Sequence, residues 1–154
     1  MTITADLDLR ARVCQDFFDA YRNHDVEAMS ALCTDIAEYR QVPFEMWGRQ
    51  RVLRGDGHVR SVGKVLWTGM IQAFPDLTNT VSAVHSDDRG NVLTEVTLTG
   101  TQAAPWGVIA NKGLRFELDQ IVLFRVTADG LIDGITSYWD NASLYRQLGH
   151  LEVD

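Results

Sequence analysis

The sequence predicts an α+β fold: a cone-shaped single domain in which a curved, mostly antiparallel sheet carries helices on one side and encloses a pocket. Helical periodicity is concentrated before Pro75 and at the C-terminal end, whereas strand-like alternation fills most of the remainder. Helices followed by a run of antiparallel strands are typical of α+β proteins. A chain of 154 residues suits one domain, and we expect it to span 1–154.

Three helices are expected in the first half. Apolar residues recur at spacings of three and four up to Tyr21, which predicts a helix over about 6–23. Asp25 is a candidate N-cap for a second, short helix, VEAMSALC. A third helix is expected over about 58–73, and it ends before Pro75 because the residue preceding proline avoids helical geometry.

Strands account for most of the rest. The first, IAEYRQV, ends at Pro43 and is followed by a loop rich in Gly and Arg that runs to about Gly57. Two more strands, LTNTVSAVHS and NVLTEVTLTGTQ, flank a turn at 87–90. After a loop through 105–113 comes a strand pair with its turn at 127–130, and a closing helix follows.

The last two strands are the expected wall of the pocket. Side chains alternate along a strand, so one face of the first carries Phe116, Leu118, Gln120, Val122 and Phe124. Gln120 is the only polar member of that row. The matching face of the returning strand carries Ile135, Ser137 and Trp139. Isolated polar groups in an apolar wall are the usual composition of a small-molecule site.

Composition argues against several classes of function. The net charge is −7 and basic runs are absent from the sequence, which disfavours nucleic acid and anionic membranes as partners. Apolar stretches fall short of the ~20 residues of a membrane span, and the N-terminus lacks the pattern of a signal peptide, so we expect a cytoplasmic protein. Cys14 and Cys33 are expected as buried free thiols. The four histidines lack zinc-ligand spacing, which predicts no metal site.

Three strings carry a family resemblance. They are FPDL at Phe74–Leu77, TGTQ at Thr99–Gln102, and DG-I-x-x-Y-W-D followed by SLYRQLG from Asp133 to Gly149. With the order of elements they resemble the SnoaL-like polyketide cyclases of the nuclear-transport-factor-two-like superfamily. Limonene epoxide hydrolase and ketosteroid isomerase are more distant relatives. The resemblance implies a homodimer with an apolar pocket, a small apolar metabolite as ligand, and no metal or organic cofactor.

The resemblance places several family positions on unexpected residues. The aspartate of the aldol cyclases falls on Ser137, which cannot replace a carboxylate base, and their histidine falls on Val122. The glutamine two residues earlier is kept as Gln120. The isomerase's tyrosine on the first helix falls near Phe17, one turn before Tyr21.

The resemblance places the isomerase's base on the first strand, where counting from Asp35 gives Glu38 and Arg40 as the expected acid/base pair. A carboxylate held between burial and a guanidinium can act as base or acid, and Arg40 could hold an enolate oxygen. The alternative is a solvated face, with Tyr39 turned to the core instead.

Other residues are assigned more loosely. Trp67 and Trp139 could wall the pocket, while Trp47 and Trp106 could close its mouth. Glu95 is a further candidate carboxylate. Asp140 could be catalytic or could cap the closing helix.

The sequence therefore predicts a cofactor-free acid/base enzyme that isomerises, cyclises or ring-opens an apolar carbonyl compound. Its expected catalytic residues are Glu38, Arg40 and Gln120, and the expected substrate-binding residues are Tyr21, Trp67, Val122, Ser137 and Trp139. One alternative is a binding protein that uses the same pocket without turnover. A second is an epoxide hydrolase with a rearranged carboxylate set.

Overall fold

A computed structural model describes residues 3–44 and 56–150. Within them lie four α-helices and six strands, and a π-helical turn at Val59–Gly63 leads into the third helix. In chain order the elements are α1 (Ile3–Arg22), α2 (Val26–Ala31), β1 (Cys33–Phe44), β2 (Gly57–His58), α3 (Lys64–Ala73), β3 (Thr78–Ser86), β4 (Asn91–Thr101), β5 (Arg115–Val126), β6 (Ile132–Asp140) and α4 (Asn141–Gln147).

The strands form one curved, unclosed sheet in the order β2-β1-β6-β5-β4-β3. All neighbouring pairs are antiparallel except β1 and β6, which run parallel. The predicted α+β fold with a mostly antiparallel sheet is confirmed. The first strand of the chain thus lies beside the last.

Capping residues set two helix starts as the sequence indicated. The Asp25 carboxylate accepts a hydrogen bond from the Ala28 amide at 3.0 Å. Asp140 accepts from the amides of Ala142 at 3.0 Å and Ser143 at 3.3 Å. A side-chain acceptor at this position satisfies amides that have no partner within the helix. The capping interpretation of Asp140 is therefore confirmed.

β1 differs from its predicted extent. It begins at Cys33, which was expected to be the last residue of the second helix, and it passes through Pro43 to Phe44. Proline is tolerated there because β2 pairs with β1 only at Glu38 and Tyr39, so Pro43 needs no amide for that neighbour. The loop expected between Pro43 and Gly57 falls largely outside the described residues, as does Trp47.

The core lies between the helices and the inner face of the sheet. Phe17 of α1 packs edge-on against Phe18, Trp67 and Phe124, with ring centroids 5.3–5.5 Å apart. Edge-to-face pairs of aromatic rings add stability beyond the area that they bury. This cluster joins α1 and α3 to β5.

Candidate functional site

A cavity of about 70 Å³ lies between the helices and the inner face of the sheet. Its walls are mostly apolar and include Phe17 and Phe18 of α1, Leu66 and Met70 of α3, and Leu118 of β5. One ordered water needs roughly 10–15 Å³ of such space. The cavity therefore has room for a small organic molecule.

Six residues expected at the site do line this cavity. Strand alternation correctly placed the inward faces of β5 and β6, and helical spacing placed the two members from α1 and α3. They are Tyr21, Trp67, Gln120, Val122, Ser137 and Trp139. The β5–β6 register pairs Gln120 with Trp139 and Val122 with Ser137, so four of them form one contiguous patch.

The placement of Glu38 and Arg40 in the pocket is wrong. Both side chains are exposed, and neither lines the cavity. Alternation along β1 instead turns Ala37, Tyr39 and Gln41 inward. The charged pair stays in water because burying an isolated charge is costly. The interpretation with Tyr39 in the core is the correct one, and counting from Asp35 selected the opposite face.

Tyr39 and Gln41 are the polar groups that β1 contributes. The Tyr39 oxygen accepts a hydrogen bond from Gln41 Nε2 at 3.1 Å, and the Trp67 side chain also hydrogen-bonds to it. Burial raises the pKa of Tyr39 to about 12, although these two hydrogen bonds oppose the rise. The phenol is therefore neutral at physiological pH, and its own proton can be donated into the cavity.

Tyr21 places a second phenol beside the first. Its ring contacts Phe17 and Trp67, each with centroids 6.5 Å apart. Burial raises the pKa of Tyr21, and the nearby Tyr39 raises it further. Two adjacent neutral phenols thus lie at one side of the cavity.

Asn141, at the start of α4, is a cavity residue that the sequence did not indicate. It is 2% exposed, and its Oδ1 accepts a hydrogen bond from Trp139 Nε1 at 3.3 Å. The step of two residues from Ser137 to Trp139 to Asn141 was the available signal, because it continues the inward face of β6 into the helix.

Neutral groups provide the polar chemistry of the described cavity wall. Phenols, carboxamides, an indole N–H and a hydroxyl face inward, and carboxylate and imidazole groups are absent from the described lining residues. Such groups can orient an uncharged ligand and donate hydrogen bonds to an oxygen that gains negative charge.

The remaining carboxylate candidates lie elsewhere. Glu95 is exposed on β4 and contacts His85 Nε2 at 3.0 Å. Asp140 is exposed at the cap of α4. Neither one lines the cavity, so the alternative that one of them is a pocket carboxylate, which the sequence left open, is not supported.

Cysteines and candidate metal ligands give little further chemistry. Cys14 and Cys33 are buried free thiols, as expected, and burial raises the pKa of Cys33 to about 12. Across 3–44 and 56–150, clusters of three His, Cys, Asp or Glu side chains suited to a metal ion are absent. Within the same residues no helix is both long and apolar enough to span a bilayer.

Sequence comparison gives a family match. The profile of the SnoaL-like domain matches residues 14–135, which is most of the chain. No curated protein matches the sequence.

Several solved structures share the fold. AclR from Streptomyces galilaeus superposes with a TM-score of 0.77 at 17% identity, covering 96% of this chain and 89% of AclR. An LEH-like epoxide hydrolase from M. tuberculosis gives 0.66 at 22% identity, with 92% and 90% covered. A SnoaL-like protein from Jannaschia sp. CCS1 gives 0.72 at 16% identity, with 94% of each chain covered. At these identities the likeness establishes the fold.

Proposed function

Because the chain belongs to the SnoaL-like domain family, we propose that it is a cofactor-free enzyme that isomerises or cyclises an uncharged, apolar, carbonyl-bearing small molecule. The observation that supports this most directly is the group of neutral donors in an apolar cavity, led by the Tyr39 phenol. A buried phenol can donate a hydrogen bond to a carbonyl oxygen and stabilise the negative charge that develops on enolisation.

In the proposed reaction each polar residue of the cavity has its own role. Tyr39 donates to the oxygen, while Gln120 and Ser137 orient the rest of the polar edge of the substrate. Trp67, Trp139 and Val122 hold the apolar skeleton. The proposed acceptor of the proton that leaves carbon is a water molecule or another atom of the substrate. This replaces the Glu38 and Arg40 chemistry that was expected from the sequence.

A second candidate is a binding protein that holds the same class of molecule without turnover. The absence of carboxylate and imidazole groups from the described cavity wall favours it. Opening of an epoxide ring, by contrast, has less support, since Glu95 lies outside the cavity with His85.

Exchange of carbon-bound protons separates the two candidates. The probe is 1-tetralone in deuterium oxide, followed by proton NMR at the carbon next to the carbonyl. An enzyme of the proposed kind accelerates exchange, and Tyr39→Phe slows it by roughly 10²-fold, the usual cost of losing one oxyanion donor. Glu38→Gln is the matched control on the same strand, and we expect it to exchange at the wild-type rate.

The outcomes lead to different conclusions. Binding of the ketone with no accelerated exchange would support the binding protein and refute the enzyme. Equal loss of exchange in both variants would refute the assignment to Tyr39.

A homodimer is the proposed assembly, with the outer face of the sheet as its surface. A shallow concavity of about 770 Å³ crosses β3 to β6 there, and it is lined by Leu93, Ile121, Leu123 and Tyr138 among other residues. The same concavity also carries the carboxylates of Glu95, Asp119 and Asp140. An exposed apolar patch bordered by polar residues often marks a protein interface. Sedimentation should give a dimer that Ile121→Lys converts to a monomer and that Val65→Lys leaves intact. A monomeric wild-type protein would refute this assembly.

The cytoplasmic location stays a prediction.

A further inference from the structure

A loop supplies part of the cavity wall. Among the described lining residues, Trp106 alone lies outside the helices and strands, in the connection between β4 and β5. The residue is half-buried, so it contacts both the cavity and solvent. A residue with both contacts lies where the cavity approaches the surface of the protein.

The packing of Trp106 places it at one end of the cavity. The first β5 residue in the cavity wall is Leu118, and the inward residue before it is Phe116. Phe74 packs edge-on against Phe116 and against Trp106, with ring centroids 5.0 and 5.8 Å apart. Trp106 therefore lies at the Leu118 end of the cavity.

Tyr39 lies towards the opposite end. It pairs in register with Ile135, and Ile135 pairs with Phe124, which is near the end of β5 whereas Phe116 is near its start. A carbonyl group held at Tyr39 therefore leaves the rest of the ligand extending along the cavity towards Trp106.

Gln102 fixes the loop that carries Trp106. It is 2% exposed, and its Nε2 donates to the carbonyl oxygens of Ala104 and Ile109 at 3.2 Å each. The amides of Trp106 and Ile109 each donate to the other residue's carbonyl at 2.9 Å. Gly107, between them, has a φ of 56°, which glycine adopts without strain. Trp106 is thus held by a hydrogen-bonded turn that is itself bonded to a buried amide.

We infer that Trp106 sets the upper limit on the length of the ligand, and that Gln102 is a positioning residue that keeps the indole at the end of the cavity. The cavity of about 70 Å³ has room for roughly five to seven waters, which is comparable with a two-ring ketone. Close-packed interiors tolerate little overfilling, so a longer ligand meets the indole at a cost. This inference rests on the proposed function, because it specifies the size of the carbonyl compounds that the same cavity takes.

Two ketones that differ by one fused ring test the inference with the intact chain. They are 1-tetralone and 3,4-dihydro-2H-anthracen-1-one, which extends 1-tetralone in a straight line. Dissociation constants are measured by ligand-observed NMR. We expect the wild-type protein to bind the longer ketone about tenfold more weakly or worse, although the larger apolar area of that ketone would otherwise favour it.

Trp106→Ala should change the ratio of the two dissociation constants by about tenfold or more in favour of the longer ketone, because it removes the ring that the extra atoms meet. Val108→Ala is the matched control. Val108 lies on the same loop, is 63% exposed and is not among the lining residues, so the ratio should stay at the wild-type value.

Gln102→Met tests the positioning role. It removes both hydrogen bonds from Nε2 to the loop, so we expect the ratio to shift in the same direction as in Trp106→Ala. A purely structural role would lower the melting temperature and weaken the binding of both ketones alike, which leaves the ratio unchanged and would overturn the positioning role. If Gln102→Met does not fold, Trp106→Ala still decides the length limit, since it alters a half-buried loop residue.

Two results would overturn the length limit itself. One is an unchanged ratio in Trp106→Ala, and the other is tighter binding of the longer ketone than of 1-tetralone by the wild-type protein. Both leave the proposed function standing if the protein accelerates deuterium exchange of 1-tetralone. Failure of both ketones to bind would overturn the inference and the proposed function together.

Discussion

Replacing Tyr39 with phenylalanine tests which face of β1 looks into the cavity. The change removes one oxygen, which accepts hydrogen bonds from the Gln41 and Trp67 side chains. Tyr39 is 4% exposed, so water cannot fully replace it at either donor. A buried donor left unpaired costs about 1–3 kcal/mol, and Gln41 is only half-buried. We therefore expect Tyr39→Phe to lower the free energy of unfolding by about 2 kcal/mol.

Urea denaturation followed by circular dichroism measures this change. The midpoint should fall with little change in the slope, since the surface exposed on unfolding is nearly the same. For a chain of this size the melting temperature should drop by about 4–8 °C. Glu38→Gln is the control, and its exposed side chain predicts an effect within about 0.5 kcal/mol. A larger loss of stability in Glu38→Gln than in Tyr39→Phe would refute the assignment of the inward face.

Three further predictions concern stability. Asp76 accepts a hydrogen bond of 2.7 Å from a backbone amide of β4, and this bond helps to lower the pKa of Asp76. Asp76→Ala should therefore lower the free energy of unfolding, measured by urea denaturation, by about 1 kcal/mol. Asp88→Ala, at an exposed position, should lower it little. Phe124→Ala should cost about 3–5 kcal/mol, because it removes a fully buried ring that packs against Phe17 and Phe18. Val65→Ala, at a position 70% exposed, should be nearly neutral. Equal effects within either pair would contradict the packing. Finally, the raised pKa of Tyr39 contributes stability that is present below pH 10 and is lost as the pH rises towards about 12. An alkaline ultraviolet titration measures how many phenols ionise between these two pH values. The Tyr39→Phe variant should show one phenol fewer than the wild-type protein. A phenolate signal from Tyr39 near pH 10 would contradict the burial.

The inward faces of β5 and β6 were predictable because side chains alternate along a strand and only one face of each strand is mostly apolar. Gln120 is the only polar residue in its apolar row, and Ser137 and Trp139 lie opposite in register. The roles of Asp25 and Asp140 were equally predictable, since an aspartate directly before a helical segment usually caps the helix N-terminus. In these places the local pattern and the tertiary fold agree.

β1 shows where sequence alone was insufficient. Its two faces both contain polar residues, and the β1–β6 pairing shifts register between Cys33 and Glu38, so a fixed count from Asp35 does not identify the inward set. The cost of burying charge would have selected Tyr39 and Gln41 over Glu38 and Arg40. Two other features, β2 and the π-helical turn, depend on tertiary pairing and on one irregular turn that periodicity does not encode.

The parallel pairing of β1 with β6 also sets an order of events during synthesis. The Thr34 hydroxyl donates to the Asp133 carboxylate across a separation of 99 residues. At ribosomal speeds that separation takes roughly 5–20 s to translate. Throughout that interval β1 lacks its longest neighbour, and Tyr39 and Gln41 lack the wall that they face in the finished molecule. A growing chain of this protein therefore carries β1 with one edge unpaired until β6 has been translated, and an unpaired strand edge is a site where strands of other chains can add.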